Sequence, residues 1–376
     1  MSVAGERLRI LHTESSLGWG GQEIRVLTEA RGVARQGHEV TVAAPAESRI
    51  FQEAPRFGVD AIAIPIARKS IGGLLGMLGL LRERAFDVIN THSSTDSWLA
   101  AVAACMLRRA PPIVRTRHIS APVPNNLATR WLYGTASRRI VTTGERLRLQ
   151  VIAETGVRPD RVVSIPTGID INLFRPGAAG VARADLGLAV DGVVIGIVAT
   201  LRSWKGHRHL FHSFAGLPDR AARLVVVGDG PQREALEALA KELHVDERVL
   251  FTGNQPNVVP WLQAFDLFCL PSYANEGVPQ ALMQAMSCGL PVITTPVGSI
   301  AEIVQDGDTG LLVPPEDPTA LRAAIARLLA DDALRARLGT RAREAALQRF
   351  GEEQMVSRML EVFTPVARAS QHNFRS

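Results

Sequence analysis

Runs of aliphatic and β-branched residues alternate with helix-period stretches along most of this chain, and that alternation confines the fold. Leu8-Arg9-Ile10-Leu11-His12 reads as a strand. A glycine-rich loop, Ser15 to Glu23, then opens a helix through about Gln36, which Gly37 ends. Val40 to Ala44 is the next strand, and Asp87 to His92 and Ile113 to His118 repeat the pattern, each closing on a His. After Gly192 the alternation restarts, with strands at Val193–Val198, Leu224–Val227, Val249–Asn254, Leu267–Leu270 and from Pro291. Strands buried on both faces of a parallel sheet need near-continuous apolar runs of this kind. Strands separated by helical stretches predict crossover units. A chain of 376 residues has room for two such domains. The Gly-, Ala- and Pro-rich stretch from Asn172 to Asp191 reads as the boundary. The expectation is an α/β protein with parallel-sheet domains over 1–171 and 190–350, followed by a helical segment, 351–376, set off by Gly351.

Charge and composition narrow the function. The net charge is +5. Lys and Arg number 22 against 14 Asp and Glu up to Ile165, whereas acidic residues exceed basic ones beyond it. A basic first half suits an anionic partner, such as a phosphorylated glycan or an anionic membrane surface. Nucleic acid is not expected, because aromatic residues are only 5% and no nucleic-acid module is present. The apolar stretch Ile71–Leu81 is too short to span a bilayer and is flanked by Arg68-Lys69 and Arg82. The start of the chain lacks a signal-peptide pattern, and three cysteines, Cys105, Cys269 and Cys288, sit in apolar or helical settings without metal-ligand spacing. These features point to a cytoplasmic protein, with peripheral contact at the inner face of the membrane. Segment 126–139, with Trp131, Tyr133, Arg130, Arg138 and Arg139, reads as a helix and is either the docking element or a core helix with snorkelling arginines.

The most informative stretch runs from Pro271 to Ile293: strand end, polar loop, helix, tight turn, strand. Pro279 is read as the first helical residue, since its missing N–H is not needed there. Leu282, Ala285 and Met286 form an apolar stripe, and Gly289 ends the helix. Glu276 then lies at the carboxyl end of a strand, just before a helix N-terminus, where open α/β sheets bind ligands and where phosphate is favoured.

This stretch resembles the signature of the retaining glycosyltransferases of family 4 (glycosyltransferase group 1). In them a Glu opens the helix, and a second Glu stands where this chain has Gln284. Ala199-Thr200-Leu201-Arg202-Ser203-Trp204-Lys205-Gly206 is similar to the family's G-R-L-x-x-x-K-G, with Thr200 at the usual Arg position. Val227-Gly228-Asp229-Gly230 and Thr252-Gly253-Asn254 match further landmarks, and Ile165-Pro166-Thr167-Gly168-Ile169-Asp170 resembles the N-G-V-D turn. The resemblance implies a GT-B fold, two Rossmann-like domains with a cleft between them and a last helix packing back on the first domain. It implies transfer of a sugar from a nucleotide-diphosphate donor to a glycan or lipid-linked acceptor with retention, in cell-envelope polysaccharide or lipopolysaccharide synthesis.

What the resemblance implies for single residues is as follows. His118 contacts the donor sugar and Glu276 binds its hydroxyls, as the catalytic pair. Gly20 and Gly21 lie near the donor phosphates, and Arg202 and Lys205 neutralise the pyrophosphate. Gly228, Gly277, Val278 and Gln280 line the donor, Gln284 takes the ribose, and His92 is on the acceptor side. No cofactor and no metal are expected, and Asp306-Gly307-Asp308 is read as a turn rather than a metal site. Gln284 and Thr200 leave a catalytically silent nucleotide-sugar binder open, and a GT-B sugar-phosphate epimerase is a further alternative. A nicotinamide enzyme is disfavoured, because the first loop is not G-x-G-x-x-G and no acidic residue ends the second strand.

Overall fold

A computed structural model describes residues 7–372. The chain divides into two compact units: one comprises the chain up to Gly168 together with the chain from Glu352, the other Ile169–Gly351. The outer ends of the expected 1–171 and 351–376 segments, residues 1–6 and 373–376, lie outside the described residues.

In the first unit β1 (Arg9–Thr13), β2 (Glu39–Ala44), β3 (Asp60–Ala63), β4 (Val88–Thr91), β5 (Ile113–Arg117), β6 (Ser137–Thr142) and β7 (Val162–Ser164) form one parallel sheet. Their order is β3-β2-β1-β4-β5-β6-β7. The order reverses between β1 and β4, so the crevice at their carboxyl ends is the ligand position of a doubly wound sheet. Two apolar layers cover the faces. On one side Ile10, Val42 and Val114 pack with Val26, Leu27 and the Glu352–His372 helix, whose Met359 and Phe363 are fully buried. On the other, Leu11, Ile89 and Ile140 meet the helices Ile71–Glu83 and Ser94–Cys105.

The second unit repeats the plan with β8 (Val194–Val198), β9 (Arg223–Val227), β10 (Val249–Gly253), β11 (Leu267–Leu270), β12 (Val292–Thr294) and β13 (Leu311–Leu312), ordered β10-β9-β8-β11-β12-β13 and parallel throughout. Here β8 and β11 flank the reversal. One core serves the whole unit and includes Phe211, Phe268, Met283 and Leu338.

Several expectations need correction. Segment 126–139 is not one helix: Leu127–Trp131 is helical, Leu132–Ala136 is a wide turn, and β6 begins at Ser137. Ser137 Oγ donates to Leu132 O (2.8 Å) and closes the turn, and the β-branched run Ile140-Val141-Thr142 then pairs with β5 and β7. Tyr133 is buried beneath the Arg115 guanidinium, 4.7 Å from its ring centroid. In the Ile71–Glu83 helix Gly76 lies so close to Pro65 that a Cβ would come within 2.9 Å of that ring. The stretch read as a boundary carries the helix Ala179–Asp185. Its buried Arg183 donates to Ala264 O, Val190 O and Gly192 O and pairs with Asp266, which ties the segment into the second unit. Cys269 and Cys288 are buried, but Cys105 is exposed at a helix end.

Candidate active site

The second unit brings together two loops that are far apart in sequence. The loop after β8 ends in a short turn, Ser203–Lys205, and Gly206. The loop after β11 runs from Pro271 to Pro279. Gly206 has φ 77°, and a Cβ there would stand 2.0 Å from Pro271 O, so only glycine lets the loops approach. Tyr273 N donates to Trp204 O (2.8 Å) across them. Lys205 Nζ then meets Glu276 Oε1 at 2.6 Å, and Ser272 Oγ donates to the same oxygen at 2.6 Å. The Glu276 side chain is 5% accessible and that of Lys205 19%. This is a largely dehydrated ion pair at the switch point of the sheet, and its carboxylate retains a second oxygen.

Arg202 shares the Lys205 loop but is exposed, its guanidinium 5.8 Å from the Trp204 ring centroid. Gly228 follows β9 and donates its N–H to Gly253 O (2.9 Å). Gly277 and Val278 are buried just past Glu276. The helix starts at Gln280, one residue later than expected, with Pro279 as its cap. Gln280 is half-buried and Gln284 is buried. They lie one turn apart on one helix face. The Gln284 amide takes no protein partner among the described residues. Two contributors escape a reading of the sequence: Ser272, which looks like an ordinary loop residue, and Gly298, where a Cβ would fall 2.0 Å from Glu276 O. Asp308 pairs with Arg341 and Asp306 accepts from Leu312 N (2.9 Å), so both serve the turn before β13.

In the first unit the carboxyl ends of β1, β4 and β5 carry His12, His92 and His118, all buried. His12 Nδ1 lies 2.9 Å from His92 Nε2, and His92 Nδ1 lies 3.0 Å from His118 Nε2. Burial pushes the His12 pKa down to about 3, helped by Arg25. His92 and His118 are held well below the ordinary value, first by burial and then by neighbouring positive groups that include Arg25 and Arg115. All three rings are therefore neutral near pH 7. Both ring nitrogens of His92, expected on the acceptor side, face the other two histidines.

Glu14, unremarked in the sequence, is fully buried beside this column at the end of β1. It accepts from Ser16 N (2.8 Å) and Gln22 Nε2 (2.5 Å). Burial, reinforced by Asp96 and Glu23, raises its pKa to about 8. Asp96 accepts from Thr13 Oγ1 (2.7 Å) and His92 N (2.9 Å). Gly20 caps the Gly21–Arg35 helix in an extended conformation, with Gly21 exposed as its first residue.

The family models agree with this division. Residues 19–173 match Glycosyltransferase Family 4, and residues 181–345 match Glycosyl transferases group 1. The D-inositol 3-phosphate glycosyltransferase of Xylanimonas cellulosilytica is 30% identical, over 92% of this chain and 91% of its own. The N-acetyl-alpha-D-glucosaminyl L-malate synthase of Bacillus anthracis is 29% identical, over 78% of each chain. Among solved structures, HepE of Anabaena in complex with UDP aligns over 95% of this chain and all of its own, with a TM-score of 0.84 at 22% identity. WaaG, a glycosyltransferase involved in lipopolysaccharide biosynthesis, aligns over 94% of this chain and 99% of its own, with a TM-score of 0.73 at 18% identity. Those two likenesses concern the fold, whereas the family models and the 30%-identical relative carry the assignment: the chain belongs to glycosyltransferase family 4 and is a glycosyltransferase of the GT-B fold.

Proposed function

We propose that this enzyme transfers a sugar, with retention, from a nucleotide-diphosphate donor to a hydroxyl of an anionic or lipid-linked glycan acceptor, in cell-envelope synthesis. The observation that carries the reading is the largely dehydrated Lys205–Glu276 pair with Ser272 at the switch point of the second unit. An ammonium there suits a diphosphate whose charge grows as it leaves. The carboxylate suits sugar hydroxyls, as an acceptor of their hydrogen bonds. Arg202 adds a second cation to the same loop, and the N-terminus of the Gln280–Ser287 helix favours phosphate. Gln284 takes the ribose, where an amide can both accept and donate, and Gln280 lines the donor one turn before it. Gly228, Gly277 and Val278 line the donor, and Gly20 and Gly21 allow backbone approach in the first unit.

The reading follows front-face displacement. The bond from the anomeric carbon to the leaving phosphate oxygen breaks while the acceptor oxygen bonds on the same face. The acceptor's proton passes to the leaving phosphate. Lys205 and Arg202 stabilise the diphosphate, and Glu276 and His118 hold the sugar. No metal is assigned a role.

The excess of Lys and Arg in the first half supports an anionic acceptor or membrane surface at the inner face of the membrane. Among the described residues no helix is long and apolar enough to cross a membrane. The names of two relatives contain inositol 3-phosphate and malate, which are anionic. Gln284 and Thr200, which depart from the family pattern, favour a second reading as a nucleotide-sugar binder without turnover; a sugar-phosphate epimerase would need no separate acceptor. A thermal-shift screen with UDP-, GDP- and ADP-sugars identifies the donor, since a ligand of the native state raises its stability. Transfer or slow hydrolysis of that donor supports the enzyme reading, and tight binding with no turnover supports the binder.

A further inference from the structure

The three histidines of the first unit form a column whose protons are not independent. A neutral imidazole carries one N–H and one bare nitrogen. Each N···N contact, 2.9 Å and 3.0 Å, therefore needs one proton between its two atoms. Two N–H groups would clash and two lone pairs would repel. Only two arrangements satisfy both contacts. In one, every ring is protonated at Nδ1, and hydrogen bonds run from His12 to His92 to His118. In the other, every ring is protonated at Nε2, and they run the opposite way.

The inner end of the column decides between them. His12 Nε2 is buried and has no hydrogen-bond partner among the described residues, and its ring meets Phe363 edge to face at 6.1 Å. An orphaned buried N–H is rarer in proteins than an under-satisfied acceptor. A bare His12 Nε2 puts the proton on His12 Nδ1, which leaves His92 Nε2 bare, its Nδ1 protonated, and His118 Nε2 bare in turn. The outer nitrogen, His118 Nδ1, then carries the last proton. It has no protein partner among the described residues. The His12 and His92 rings lie end to end in nearly parallel planes, their centroids 5.2 Å apart at 10°, so the N···N contact runs along the ring axes and the hydrogen bonds reinforce one another along the column.

We propose that His12 and His92 are positioning residues that lock His118 as the Nδ1–H tautomer, so that it meets the donor sugar as a hydrogen-bond donor and not as a base. The role toward the sugar rests on the glycosyltransferase reading; the tautomer does not. Burial and the guanidinium groups of Arg25, Arg115 and Arg117 keep the rings neutral, so the lock persists across the working pH range.

The test is a long-range proton–nitrogen correlation spectrum of the ¹⁵N-histidine-labelled full chain at neutral pH, with assignment by single substitution. His12, His92 and His118 are expected to read as protonated at Nδ1 and bare at Nε2. A protonated Nε2 on any of the three overturns the proposal, and where a substituted chain does not fold, assignment through the backbone of the wild-type chain identifies the ring instead. In His92→Ala, water fills the gap and His118 is expected to shift toward Nε2–H. There kcat is expected to fall roughly five- to tenfold, the size of one neutral hydrogen bond, with nucleoside-diphosphate affinity unchanged. A shifted tautomer with unchanged kcat would remove the positioning role. Three Nδ1–H rings in a chain that transfers no sugar would leave the lock standing and sink the enzyme reading. Transfer with an Nε2–H His118 would do the reverse.

Discussion

The Lys205–Glu276 pair yields a prediction whose two halves have opposite signs. Glu276 is nearly buried, and its Oε1 accepts from Lys205 Nζ and Ser272 Oγ, each at 2.6 Å. Lys205→Ala leaves that carboxylate with one hydroxyl donor and little water. Breaking a fully buried pair costs about 3–5 kcal/mol. Lys205 is partly accessible, so water offsets some of this, and about 2 kcal/mol of stability is the expected loss. Donor binding brings a diphosphate that competes with Glu276 for the same ammonium. In Glu276→Gln the ammonium is released from its intramolecular partner, so the nucleoside diphosphate alone should bind as tightly as in the wild type or a few-fold tighter. Sugar transfer should fall by at least ~100-fold, the scale of one preorganised electrostatic contact. Calorimetric titration of the diphosphate, beside steady-state transfer, reads both quantities. If Glu276→Gln weakens the bare diphosphate and the sugar nucleotide in parallel, Glu276 is structural and the division of labour in this site is wrong. If Lys205→Ala is as stable as the wild type, the pair is not dehydrated in solution.

Other consequences follow from single residues. Gln284→Ala should raise the donor KM by about 1 kcal/mol, one net hydrogen bond, with kcat little changed, whereas Gln284→Glu stays active; unchanged donor affinity in the Ala variant removes Gln284 from the ribose. Arg202→Ala should lower kcat/KM by about 1–2 kcal/mol, less than Lys205→Ala, because Arg202 is exposed; an equal or larger loss places it closer to the diphosphate than its stacking on Trp204 suggests. Glu14, raised to about 8, is protonated in the native chain where the unfolded chain has lost the proton, so its contribution falls as pH rises from about 4.5 to 8. His12, lowered to about 3, acts in the other direction and loses stability as pH falls below about 6.5. The two slopes cancel between about pH 4.5 and 6.5, so thermal stability should hold level there and fall as pH rises from about 6.5 to 8, and Glu14→Gln should flatten that alkaline side; a Glu14→Gln profile parallel to the wild type would falsify the protonated assignment. Binding to anionic vesicles should weaken as salt shortens the screening length toward about 8 Å, and equal binding to neutral vesicles rejects an electrostatic contact.

Much of the architecture is legible because parallel strands covered on both faces must be apolar along their length. β1, β2, β8, β9 and β11 announce themselves for that reason. β3 does not, since Asp60-Ala61-Ile62-Ala63 lies at the sheet edge with no residue fully buried. β6 is obscured by Arg138 and Arg139, which sit at its start and follow a helical turn. In the Ile71–Glu83 helix, Gly73 and Gly76 are explained by the close approach of Pro65, a contact that the sequence does not state.

The candidate site was legible as separate residues and not as an arrangement, and the cause is topological. Lys205 and Glu276 are 71 positions apart, and they touch because the strand order puts β8 beside β11, a neighbour relation that sequence order does not state. The same reversal sets β1 beside β4, and β5 follows, which is why three histidines from distant segments meet at the carboxyl ends of the strands within hydrogen-bond distance. His12 alone looks like a polar residue near the end of a strand, and Glu14 like the first residue of a loop. Each becomes chemically informative only once burial removes its water, because a buried imidazole must be neutral and a buried carboxylate must find donors or hold a proton. The doubly wound order therefore supplies what no local pattern carries: it selects which loop ends meet and how much water they keep, and through that the protonation states with which they meet a ligand.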